Sequence, residues 1–106
     1  MNDFGEFGFI RVAACAPTVA LADPAENARR IATEFLQLAS EGAAVVLFPE
    51  LAVTGYSCED LFFTQALLDA TRDALASLVR ATSGTTAALV VGAPWSLDDG
   101  RLVNCA

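Results

Sequence analysis

At 106 residues, with 55% of them hydrophobic, the chain has the composition of a small α/β unit, which excludes a disordered or fibrous polymer. Its net charge of −7 comes from thirteen acids without a like-signed run, set against six basic residues that are all arginine, so nucleic acid is not an expected partner. Lysine and histidine are absent, which removes a histidine base, a Schiff-base or phosphate-loop lysine and a histidine-ligated metal from the chain's own chemistry; no metal site is expected.

Residues 9–16 combine β-branched and small apolar side chains ahead of Pro17 and read as a first strand. Arg11 followed by the apolar residues 12–22 imitates a secretory leader. Asp3, Glu6 and three phenylalanines stand where such a leader needs positive charge, and Pro17 interrupts the run, so export is not expected. No stretch approaches the roughly 18 apolar residues needed to cross a bilayer, and no membrane partner is expected. Cys15, Cys58 and Cys105 form no C-x-x-C pair and are expected as reduced, mostly buried thiols, which implies a cytoplasmic setting.

Asp23-Pro24-Ala25-Glu26 announces a helix, with Asp23 as cap, Pro24 in the first helical position and Glu26 reaching back as in a capping box. Ala28, Ile31, Phe35 and Leu38 form its buried stripe, Arg29, Arg30, Glu34 and Glu41 lie elsewhere on the circumference, and Gly42 stops it. The unbroken apolar run at 43–48 predicts a strand covered on both faces and ending at Pro49-Glu50. Ser57 and Asp60 resemble a second capping box before a short turn, and a longer helix is expected from about 65 to 81. Its core side should carry Leu68, Thr71, Leu75, Leu78 and Val79. Residues 87–92 predict a third strand, and Asp99-Gly100 a hairpin turn leading into 101–106. The order β-α-β-α-β-β gives an α/β fold class. The last apolar strand lacks a stop signal, which predicts a partial domain, since a closed domain avoids an open strand edge.

The block Leu47-Phe48-Pro49-Glu50-Leu51-Ala52-Val53-Thr54-Gly55-Tyr56 holds the candidate chemistry. A carboxylate directly after a buried strand lies where α/β folds place their active sites, which makes Glu50 a candidate; the alternative is a loop glutamate that caps the turn after Pro49. Tyr56 either lines a substrate pocket or packs its ring under the loop.

The strand followed by F-P-E-L and T-G-Y resembles the nitrilase, or carbon-nitrogen hydrolase, superfamily. Gly55-Tyr56, two further residues and Glu59-Asp60-Leu61 resemble the amidase domain of glutamine-dependent NAD+ synthetases, in their actinobacterial form. The opening strand, the D-P-x-x-N element at 23–27 and the hairpin from Val90-Val91-Gly92-Ala93-Pro94 to Leu102-Val103-Asn104 extend the resemblance over nearly the whole chain.

This resemblance implies the N-terminal part of an α-β-β-α sandwich and a Glu-Lys-Cys triad that hydrolyses the side-chain amide of glutamine. In that triad the cysteine attacks, the glutamate takes the thiol proton and the lysine helps to hold the oxyanion. An ordinary glutamate near ~4.3 and an ordinary thiol near ~8.5 differ by roughly 6 kcal/mol in proton affinity, so surroundings must narrow the gap. Only Glu50 carries over as a catalytic residue, with Tyr56 as a substrate-binding candidate; the lysine and the cysteine lie beyond residue 106. Cys105, within a strand, is expected to be structural, Glu59 and Asp60 to stabilise the turn that follows them, Trp95 to pack, and Arg29-Arg30 to form a solvated helix face. The parent enzyme is expected to be a homo-oligomer whose separate synthetase domain uses ATP and Mg2+ on deamido-NAD, while this chain needs no cofactor. The alternatives are part of a stand-alone amidase or nitrilase, or a non-catalytic α/β unit.

Overall fold

The computed structural model describes residues 5–106; Asp3 and Phe4, part of the leader argument, lie outside them. Strands β1 (Arg11–Ala14), β2 (Ala43–Leu47) and β3 (Ala88–Val90) form one parallel sheet in that order, with β2 in the centre. The parallel order requires two crossovers, supplied by α1 (Pro24–Ser40) and α2 (Gln65–Thr82). The ladder continues past β2 at both edges, because Cys15 N–H donates to Leu47 O and Phe48 N–H donates to Val90 O, each at 2.9 Å.

The helix signals at 23–26 are realised in part. Asp23 accepts the Glu26 backbone N–H at 3.2 Å, and Pro24 opens the helix. Glu26 does not reach back: its carboxylate is held by Arg29 and Arg30, while Asp23 N–H donates to Ala20 O. Gly42, at φ 97, takes the left-handed conformation that ends α1. The box expected at Ser57 does not form. The one-turn 3-10 helix Glu59–Phe63 follows Cys58 without a side-chain cap, because the Cys58 thiol turns back to Thr54 O at 3.3 Å.

The core lies between the helix pair and one sheet face. Ala28, Ile31 and Phe35 from α1 meet Ala74 and Leu78 from α2 against Val46 and Phe48. Phe35 and Ile31 are fully buried, worth about 1.5–3 kcal/mol each by area. Val79 does not join them and is 70% exposed; Leu67 and Ala74 fill that side instead.

β2 is covered on one face only, contrary to the two-sided cover that its unbroken apolar run predicts. Val46 is fully buried beneath the helices, whereas Leu47 is 51% exposed and Val12, paired with Val45 on the same face, is 63% exposed. The chain's own helices cover one side and leave an apolar strip on the other.

The third expected strand also divides. Pairing with β2 ends at Val90, and Ala93–Ser96 (β4) pairs antiparallel with Leu102–Cys105 (β5) in a separate two-stranded sheet. The expected turn joins them, with Gly100 at φ 87 and Asp99 accepting from the Arg101 backbone N–H. Arg72 lies 4.7 Å over the Trp95 ring and donates to Ser96 O, tying α2 to this hairpin and giving Trp95 its packing role.

Candidate active site

Glu50 follows β2 directly and sits in a sharp turn. Ala52 N–H donates to Pro49 O at 3.2 Å, and Leu51 adopts φ 53, a left-handed conformation that costs a non-glycine residue about 1–2 kcal/mol. Burial of the Leu51 side chain, 7% exposed, offsets that cost. The turn is then fastened from both ends: Val53 N–H donates to Gly92 O, and Gly55 N–H donates to Leu51 O.

Two residues outside the block hold this loop. Asn27, 2% exposed, donates to Ala20 O and Val53 O and accepts from Ala20 N–H, so one buried amide joins α1, the segment before it and the Glu50 loop. Gly92 lies so close that a Cβ there would meet Leu51 N at 2.6 Å, Pro49 O at 2.9 Å and Glu50 Cα at 3.0 Å. Sequence reasoning placed Gly92 at a strand end without a role; a glycine inside a strand pattern marks such close backbone approach.

The break at Gly92 starts β4 beneath the Glu50 turn, and β5 returns alongside it. The register pairs Ala93 with Cys105 and Pro94 with Asn104, which brings the end of β5 to the loop. Asn104 Nδ2 donates a hydrogen bond to Glu50 Oε1. Around them lies an open cleft of about 460 Å³, lined by Glu50, Asn104, Cys105, Phe48 and Gly92 among others. Among the described residues Glu50 enters no salt bridge, and its carboxylate stays exposed to the cleft.

The two sequence candidates are not brought together in this cleft. Tyr56 is 72% exposed and does not line it; its ring does not pack under the loop either. Of the thiols, Cys58 is buried and Cys15 half-buried, with burial and then the Glu34 charge pushing the Cys15 thiol up. Cys105 is exposed rather than buried, because it ends the edge strand of a two-stranded sheet; its thiol lies 3.5 Å from Ala93 O. The Arg29-Arg30 face is only half solvated, since Arg30 donates to Thr18 O at 2.7 Å as well as pairing with Glu26.

Residues 11–106 match the carbon-nitrogen hydrolase family. The chain belongs to that family. As a carbon-nitrogen hydrolase chain, it is 44% identical over 96 residues to the glutamine-dependent NAD(+) synthetase of Mycobacterium tuberculosis, covering 89% of this chain and 14% of that protein. Its fold matches the crystal structure of a glutamine-dependent NAD(+) synthetase from Cytophaga hutchinsonii with a TM-score of 0.81 and 25% identity, over 91% of this chain and 16% of that one. The synthetase from Acinetobacter baumannii, solved with adenosine diphosphate, gives a TM-score of 0.74 at 25% identity over 82% and 16%. The nitrilase-like α/β class expected from the sequence is the one these neighbours share.

Proposed function

We propose that this chain is the glutamate-bearing part of a glutaminase domain in a glutamine-dependent NAD+ synthetase. Glu50 takes the proton from a cysteine thiol supplied from outside these 106 residues. The thiolate adds to the side-chain amide carbon of glutamine, a lysine likewise supplied from elsewhere helps to hold the oxyanion, and the C–N bond breaks with the proton leaving on ammonia. Water then cleaves the thioester and releases glutamate. Tyr56, exposed on the same loop but outside the cleft of this chain, is retained as the candidate glutamine contact of the complete domain.

The observation that carries this reading is the position of Glu50: a carboxylate at the C-terminal end of the central parallel strand, open to a cleft, in a carbon-nitrogen hydrolase chain. The ammonia would pass to a synthetase domain that uses ATP and Mg2+ to amidate deamido-NAD, within a cytoplasmic homo-oligomer. The residues described here do not fit that cofactor set. The chain has no lysine for a phosphate loop, and among the described residues no three His, Cys, Asp or Glu side chains are grouped to hold a metal ion. No step of the synthetase reaction is therefore assigned to them. Among the described residues no helix is long and apolar enough to cross a membrane.

The test is an assay of the full-length protein carrying this chain, given deamido-NAD, ATP, Mg2+ and glutamine. NAD+ formation matched by glutamate release is the expected result. Hydrolysis of another amide or nitrile without NAD+ formation would replace this reading with that of a stand-alone hydrolase.

A further inference from the structure

The Glu50 carboxylate needs a defined orientation if it is to meet a thiol, yet Glu50 is exposed at the start of a turn whose following residues, Leu51 to Thr54, are buried. Its described partner is Asn104, which is 54 residues away and on a different sheet. A neutral amide donor can occupy one carboxylate oxygen while leaving the other to accept a proton, whereas a cation would draw on both. The scaffold delivering Asn104 is rigid and specific: Gly92 fixes the start of β4 against the Glu50 backbone, and the register places Asn104 opposite Pro94, two residues further along. Pro94 is buried, and Arg72 holds the far part of the hairpin to α2, so the strand end cannot drift freely from the loop.

We infer that Asn104 is a positioning residue for Glu50: its amide holds Oε1 so that Oε2 is presented to the nucleophile. This rests on the reading of Glu50 as the glutaminase base. Asn104 itself exchanges no proton and touches no bond that breaks. Its contribution should therefore appear in kcat for glutamine hydrolysis, leave KM for glutamine nearly unchanged, and vanish when Glu50 is no longer a base.

A double-mutant cycle in the full-length protein tests it, using glutamine hydrolysis, with ammonium-driven NAD+ formation and the melting temperature as folding controls. Asn104→Ala should lower kcat about tenfold or more, the scale of losing one hydrogen bond to a charged group. Asn104→Asp keeps the shape but sets a second carboxylate against the first, so it should lose at least as much. In a Glu50→Gln background, Asn104→Ala should change kcat by less than about twofold, since residues acting as a unit are not additive. The inference is overturned if Asn104→Asp retains activity that Asn104→Ala loses, which would make the side chain a matter of shape. Equal losses from Asn104→Ala in both backgrounds would overturn it too. An unaffected Glu50→Gln protein would overturn the reading of the base itself, and the positioning role with it.

Discussion

Asn104 Nδ2 donates to Oε1 of Glu50 across 54 residues of sequence, linking the end of the hairpin to the turn after the central strand. The two residues meet because the backbone of the Glu50 turn touches Gly92, where the third parallel strand gives way to the hairpin.

That contact makes Gly92→Ala a sharp substitution. The new methyl would meet backbone atoms and a Cα at 2.6 to 3.0 Å, with no flexible side chain to swing aside, so the loop or the hairpin must shift. A loss of about 1–3 kcal/mol is expected from urea denaturation, the usual scale of overpacking. Gly84→Ala, with open space around it, should stay within about 0.5 kcal/mol of the parent.

Asn27→Ala should be costly for a different reason. It leaves the Ala20 N–H and the buried Val53 carbonyl without the amide that joins them, while the Ala20 carbonyl keeps the Asp23 N–H. Each buried group left unsatisfied costs about 1–3 kcal/mol unless water replaces the amide. A marked drop in melting temperature is expected, and a melt unchanged within error would show that the site admits water.

The Glu26 carboxylate, hydrogen-bonded first by Arg29 and then by Arg30, is lowered from 4.5 to about 2. A depressed acid contributes stability that is present above its unfolded value and lost as the pH falls through the folded one. The contribution therefore disappears between about 4.5 and 2. The three side chains are partly exposed to solvent and the effect is small. Chemical denaturation at stepped pH should show a slightly shallower acid decline for Glu26→Gln; identical profiles would show that the arginines do not hold the carboxylate in solution.

Much of this architecture was legible in the sequence. Capping at Asp23, the stop at Gly42, the α2 limits and the Asp99-Gly100 turn follow from local signals. Val79 was misplaced because it lies about 80° around the helix from Thr71, the centre of the buried stripe, at 100° per residue. The apolar run at 43–48 records what both sheet faces favour, whereas this chain covers one of them. The Glu50 loop could be read from its motif and its place after a strand. Asn104 could not, since its proximity depends on a strand break at Gly92 and on hairpin register, neither of which is local.

The open sheet face gives a further prediction. With Val12 and Leu47 exposed on one side of the sheet, the 106-residue chain should bind a dye that reports apolar surface and associate as its concentration rises. Val12→Lys should reduce both with little change in helix content. A parent chain that binds no dye and stays monomeric would show that this face is closed in solution.

Glu50→Gln in the full-length protein tests the central claim most directly, because it preserves volume while removing the basic carboxylate. Glutamine-driven NAD+ formation should fall about a hundredfold or more, the scale of losing a general base, while formation from added ammonium salt and the melting temperature stay near the parent values. Undiminished glutamine-driven synthesis, or a loss of both activities together with thermal stability, would contradict the account and leave Glu50 as a structural residue of its turn.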